Sequence, residues 1–184
     1  MTTNVYFVRH AHSIYTPDEM GRPLSEKGFA DSAGVADVLA REKIDVFISS
    51  PYLRAVQTIQ GAADQFGKGI ILIDGFKERK LSEKPVESFD NAIEKVWQDW
   101  KFSWEGGESN LAAQERGVKV LREVLEEYEG KNIVVGTHGN IMVLIMNYFE
   151  RTCDFDFWKK LEMPDIYRLS FDGERFVKAE RIMA

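Results

Sequence analysis

Two residue types are scarce in this chain, and each scarcity closes a class of function. Cys153 is the single cysteine, so neither an intramolecular disulfide nor a cysteine-based zinc site is possible, and a reducing compartment fits. Its thiol reads as buried packing, not as a nucleophile. The three histidines are His10, His12 and His138. His10-Ala11-His12 has the His-x-His spacing of metal-dependent hydrolases, but a binuclear site of that kind wants several more histidines, so the reading is weak. No apolar run reaches the roughly 18 residues a membrane helix requires, and the N-terminus lacks the basic flank, apolar stretch and small-residue cleavage site of a secretory leader. A cytoplasmic location is expected, with no membrane partner. Basic blocks are also missing: 24 Lys and Arg face 30 Asp and Glu for a net charge of −6, which argues against nucleic acid as a partner.

What is present is enough for one sizeable core. At 184 residues and 44% hydrophobic, the chain suits a single domain over residues 1–184. Val5-Tyr6-Phe7-Val8 is a short β-prone run ending in the polar burst Arg9-His10-Ala11-His12-Ser13, as a buried strand delivering polar residues at its tip would. Ser25 is a candidate cap for a helix over 26–42, with Phe29, Ala33, Ala36, Leu39 and Ala40 at helical spacing. Ile44 to Ile48 predicts a second strand. Ser50 can cap, and Pro51 can start, a helix that carries Arg54 in its first turn. Ile70 to Ile73 predicts a third strand.

The rhythm breaks over residues 75–110, where Phe89, Ile93, Val96, Trp97, Trp100 and Trp104 share a helical face. This stretch reads as an inserted lid, its aromatics expected to pack as core instead of being offered to a ligand. A helix through Leu111, Val118, Leu121, Leu125 and Tyr128 follows, which Gly130 ends. Ile133-Val134-Val135-Gly136 is then a second strand with a polar tip, Thr137-His138-Gly139-Asn140, before a buried helix from Ile141 to Phe149. Two last strands, Ile166 to Phe171 and Arg175 to Arg181, flank the turn signal Asp172-Gly173. The expected fold is an α/β three-layer sandwich: a mainly parallel central sheet, helices on both faces, the small lid and a C-terminal hairpin. Ligands bind such sheets at the carboxyl ends of the strands, where both histidine bursts would lie.

Phosphoryl transfer suits these residues. Charge spreads over three equatorial oxygens, so the protein mainly positions the group and supplies positive donors. Arginine binds two oxygens at once, and a helix start such as Arg54's favours anions. A neutral imidazole attacks phosphorus through one ring nitrogen when the other donates a hydrogen bond that fixes the tautomer, a role open to His10.

Six segments in order then resemble the histidine phosphatase, or phosphoglycerate mutase-like, superfamily. Val8 to Ser13 resembles its Arg-His-Gly motif, and Pro23-Leu24-Ser25-Glu26-Lys27-Gly28 its Leu-Ser/Thr-x-x-Gly segment. Ser49-Ser50-Pro51-Tyr52-Leu53-Arg54-Ala55-Val56-Gln57-Thr58 is similar to its Ser-Ser-Pro-x-x-Arg-Ala-x-x-Thr helix start. Phe76 to Leu81 resembles the segment bearing its acid, Gly107-Glu108-Ser109 its Gly-Glu-Ser segment, and Thr137-His138-Gly139-Asn140 its second histidine motif. The resemblance implies that His10 is phosphorylated in passing, that Arg9, Arg54 and His138 bind the phosphoryl oxygens, and that Glu78 gives a proton to the leaving oxygen and then helps activate water. It implies a small phosphorylated substrate and neither metal nor cofactor.

Three positions depart from the pattern. Ala11 replaces the usual glycine, which requires a negative φ and room for a methyl. His12 stands where Glu, Gln or another polar residue is usual, and Thr16 where mutases carry Asn. Together with the short chain they favour a phosphatase over a mutase. A phospho-ligand binding module without turnover is the remaining alternative. Taken singly, each site residue has a plain structural reading, Glu78 above all, since it lies in a charged stretch with Glu83 and Glu87 nearby. Lys77, Arg79, Lys80 and Arg22 could meet a second anionic group or simply be solvated.

Overall fold

A computed structural model describes residues 1–183. The elements run β1 (Thr2–Arg9), α1 (Glu26–Leu39), β2 (Val46–Ser49), α2 (Leu53–Gln65), β3 (Ile70–Leu72), a 3-10 turn at Asp74–Phe76, α3 (Phe89–Gln98), α4 (Asn110–Glu127), β4 (Asn132–Thr137), α5 (Gly139–Phe149), α6 (Phe155–Lys160), β5 (Asp165–Asp172) and β6 (Arg175–Arg181). The six strands form one sheet in the order β3-β2-β4-β1-β5-β6. β3, β2, β4 and β1 are mutually parallel, while β5 runs antiparallel to β1 and forms the closing hairpin with β6.

The alternation of β1 builds two cores. Val5 and Phe7 pack with Ile93, Val96, Leu121, Leu125 and the apolar residues of α5 on one face. Tyr6 and Val8 pack with Val35, Leu39, Ile59 and Ala62 of α1 and α2 on the other. A period of two along a strand with both faces covered reads as the continuous apolar run seen in the sequence. The molecule is therefore the α/β sandwich expected, with a mostly parallel central sheet.

Element ends differ in places. α1 stops at Leu39, not at residue 42, and Phe29 on it is 49% exposed, outside the core stripe. α2 starts at Leu53 with Tyr52 in the cap position, because the Ser50 hydroxyl is drawn to another partner. α6 was not anticipated; six residues are too few for periodicity to show. Residues 75–110 hold the end of the 3-10 turn, α3 and the loops around it. Within them Phe76, Ile93, Val96 and Trp97 enter the core, whereas Trp100 and Trp104 are half-buried and donate their indole N–H groups to Trp97 and Ala92 carbonyls. The hairpin turns at Gly173, whose φ of +61° suits a residue without Cβ.

Candidate active site

Register brings the site together. Arg9 ends β1 opposite Thr137 of β4, and Ser49 ends β2 opposite Gly136. Two further backbone bonds extend the ladders, His10 N–H to the Thr137 carbonyl at 3.0 Å and Ser50 N–H to the Gly136 carbonyl at 2.9 Å. Three parallel strands thus end side by side, carrying Arg9-His10, Ser50 and His138. The His10 and His138 rings meet edge to face with centroids 5.2 Å apart, and the Tyr52 ring lies 5.1 Å from His138.

His10 is held by its Nδ1, which lies 2.7 Å from the Ala11 carbonyl oxygen. A carbonyl only accepts, so Nδ1 carries the proton and Nε2 keeps its lone pair. Burial pushes the imidazole down to about 3, and Arg54 and Arg9 add to this, while the Ala11 carbonyl works against it. The ring is therefore neutral at neutral pH. Ala11 itself meets the condition set by the missing glycine: its φ is not positive, its methyl is fully buried and its N–H donates to Thr58 Oγ1 at 3.0 Å.

His138 is completely buried, which drives its imidazole well below the usual range, with His10, Arg54, Arg116 and Arg9 adding repulsion. Its Nε2 lies 2.7 Å from Ser50 Oγ, and its Nδ1 is buried without a partner. The sequence reading gave Ser50 the role of helix cap. Its hydroxyl does accept the Tyr52 N–H at 3.3 Å, but the shorter bond joins it to His138 across 88 positions of sequence.

Arg9 lies flat on the start of α5, where a Cβ on Gly139 would fall 2.9 Å from Arg9 Nε. Glycine is what allows that approach. Arg9 Nη1 donates to the Leu161 carbonyl at 3.0 Å, and Nε is buried without a partner. The supporting loop is tied by Asp165, whose carboxylate accepts from Glu162 N at 3.0 Å, Ile166 N at 3.0 Å and Arg181 Nε at 2.9 Å. Arg54, 5% exposed, donates Nη1 to the Glu19 carbonyl at 2.7 Å and sits 4.9 Å over the Tyr52 ring. Burial lowers both guanidinium values from the usual range.

Glu78 joins the site through the N-terminus of α5. Oε1 accepts from Arg79 N at 2.8 Å and Ile141 N at 2.9 Å, and Oε2 accepts from Asn140 N at 3.0 Å. The free N–H groups of that helix start thereby fix the Glu78 side chain in place. The preceding residue pair is anchored as well: Phe76 is fully buried and its carbonyl accepts from Thr137 Oγ1 at 2.7 Å.

The other candidates lie apart. His12 turns its Nδ1 to Ser25 Oγ at 2.7 Å, beside the cap of α1, so the two members of the His-x-His pair serve different neighbours. Among the described residues no group of three His, Cys, Asp or Glu side chains is placed to hold a metal ion. Cys153 is buried, and burial pushes its thiol up to about 11. Arg79 is buried against Asn110. Lys80 and Lys77 are exposed or half-exposed, in ion pairs with Glu83 and Asp74. A groove of about 480 Å³ along α4, by Arg122, Tyr148 and Glu174, contains none of the site residues and opens near the β5–β6 turn at the other end of the sheet. Besides Ser50, sequence reasoning missed Thr58, Asp165 and Glu19, since only the folded chain brings them to the site.

Comparison with known proteins gives the family. A family model of the histidine phosphatase superfamily, branch 1, matches residues 5–181. Phosphoserine phosphatase 1 of Hydrogenobacter thermophilus is 30% identical over 149 residues, covering 71% of this chain and 68% of that protein. A phosphoserine phosphatase mutant from Entamoeba histolytica, solved with phosphoserine, superposes with a TM-score of 0.80 at 20% identity, over 98% of this chain and 96% of that one. A mycobacterial glucosyl-3-phosphoglycerate phosphatase superposes at 0.79 with 16% identity, over 100% and 98% of the two chains. Strand-end histidines, Arg9 and Arg54 beside them and a match spanning nearly the whole sequence converge on one statement: this chain belongs to the histidine phosphatase superfamily.

Proposed function

We propose that the protein is a phosphomonoester hydrolase working through a phosphohistidine on His10. The observation that carries this reading is the His10 tautomer, because the Ala11 carbonyl at 2.7 Å leaves Nε2 as a free nucleophile within the field of buried Arg54 and half-buried Arg9. Nε2 attacks phosphorus, forming a P–N bond while the P–O bond to the leaving alcohol breaks. Arg9, Arg54 and His138 receive the phosphoryl oxygens. His138 donates through Nδ1–H when Ser50 donates to Nε2, a reading supported by the lack of any protein partner on that buried nitrogen.

Glu78 gives its proton to the leaving oxygen. Its Oε1 accepts two short backbone bonds, whereas Oε2 accepts Asn140 N at 3.0 Å and Asn140 Nδ2 only at a long 3.5 Å, so Oε2 is the less committed oxygen and the one to carry the proton. In the second step the carboxylate takes a proton from water as the water oxygen attacks phosphorus. The P–N bond breaks, phosphate leaves and His10 is neutral again. Every charge that develops meets an arginine, a histidine or a carboxylate, so the cycle needs no metal.

The substrate class is a small phosphorylated metabolite, as in the relatives named for phosphoserine and glucosyl-3-phosphoglycerate. Transfer to a second hydroxyl, as in a mutase, differs only in the acceptor and is separated by product analysis.

The test compares wild type with His10→Ala on an aryl phosphate, with acid-labile phosphate trapped on the protein. Loss of turnover on the order of 10⁴-fold or more, together with loss of the label, is expected from removal of a nucleophile. Full activity in His10→Ala would overturn the mechanism. Turnover that requires stoichiometric added metal would overturn the metal-free cycle.

A further inference from the structure

Arg54 already has an anion against it. Glu19 approaches twice: its carbonyl accepts from Arg54 Nη1 at 2.7 Å, and its carboxylate Oε1 stands 3.5 Å from Nη2. The two contacts differ in kind. The backbone bond is short and belongs to a docked segment, since the neighbouring Met20 carbonyl accepts the Leu53 N–H at 2.9 Å. The carboxylate contact is long, and its side chain is 52% exposed where Arg54's is 6% exposed. Orientation of the guanidinium is therefore supplied by the backbone, and the carboxylate is not needed for it.

A half-exposed carboxylate touching a nearly buried cation does one thing a backbone carbonyl does not: it brings a full negative charge to Nη2, the guanidinium nitrogen that the backbone bond leaves free. We propose that Glu19 is a specificity-determining residue, an internal stand-in anion on Arg54 that an incoming oxyanion must displace or tolerate. The inference rests on Arg54 being a phosphoryl ligand. A weak monoanion gains no more from Nη2 than Glu19 already supplies, so it is turned away. A phosphoryl dianion engages Arg9, His138 and Arg54 together and wins the exchange. Glu19 thus weakens binding of every anion and does so most consequentially for those that depend on Arg54 alone.

The experiment is titration of wild type and Glu19→Gln with inorganic phosphate and, separately, with nitrate as a monoanion, by calorimetry and as inhibitors of aryl phosphate turnover. Glutamine keeps the side-chain length and leaves both backbone bonds in place. Phosphate is expected to bind Glu19→Gln about 3- to 10-fold more tightly, as removal of one charge several ångströms from a dianion near the surface implies. Nitrate inhibition should emerge or strengthen. Phosphate binding that is unchanged or weaker in Glu19→Gln overturns the proposal, as does absence of phosphate binding in both proteins. Tighter phosphate binding without turnover in either protein would sink the hydrolase reading and leave this one standing. Normal turnover with unchanged binding would do the reverse.

Discussion

Arg9 at the end of β1 and Arg54 in the first turn of α2 live by rules opposite to those of the arginines on the β5–β6 hairpin. On the hairpin, Arg168 donates to Glu180 at 2.8 Å and Arg181 to Asp165 at 2.9 Å, and these bonds raise both guanidinium values. In the site, Arg9 and Arg54 donate to carbonyls, and burial lowers both. Where the fold itself is served, each charge has its counter-charge. In the site, guanidinium groups are withdrawn from water against carbonyls, with the long 3.5 Å Glu19 contact on Arg54 as a weak counter-charge, at a cost in stability that the surrounding cores offset.

The sharpest way to break this contrast is Arg54→Lys. If Arg54 is held ready for two phosphoryl oxygens, a lysine keeps the charge but loses the planar fork, and turnover should fall about 100- to 1,000-fold with little change in melting temperature. Turnover close to wild type, measured at saturating aryl phosphate, would put Arg54 in the same class as the hairpin arginines.

How far the contrast could be read in the sequence differs by residue. His10 and His138 were legible because an apolar β run followed by a polar burst fixes both the strand and its tip, and parallel pairing then aligns the tips. The Arg54 position survived an error in its helix start, since Arg54 is still in the first turn of α2. Ser50 was misjudged for a physical reason. Local capping is the default for a serine before proline, and only the fold brings His138, 88 positions away, into competition for its hydroxyl. Glu78 looked solvated amid charged neighbours, because the three N–H groups that hold it come partly from α5, 62 and 63 positions further on. Glu19 carried no signal at all, being an acidic residue in a turn-rich stretch. Composition and period describe segments, while these roles belong to pairs.

A gentler probe is pH. The folded-state value of His10, about 3, lies below its ordinary 6.5. Below pH 6.5 the unfolded chain takes up a proton that the folded site refuses. Stability is therefore whole above that value and drains away as pH falls toward the folded value. His138 acts in the same direction. His10→Gln removes one of these titrations, so its melting temperature should decline less steeply than wild type's as pH is lowered from about 7 to 4. Parallel curves for the two proteins would mean that His10 is not buried in its neutral form.

The smallest effect belongs to the hairpin. Arg168 bonds Glu180 at 2.8 Å, stands 3.5 Å from Glu42 and faces the Tyr6 ring at 6.0 Å. Its side chain is 27% exposed and Glu180's is 39% exposed, so water screens the pair and much of the Coulomb gain is lost. Arg168→Ala should cost about 1 kcal/mol of stability through the ion pairs and the packing of its stem, and leave turnover unchanged. The null effect on turnover matters more than the stability loss. β5 lies directly beside β1, with Arg168 opposite Tyr6 and Asp165 opposite Arg9. A fall in turnover would mean that strain in the hairpin reaches Arg9 along that register, and the two populations of arginine would then be one coupled system instead of two.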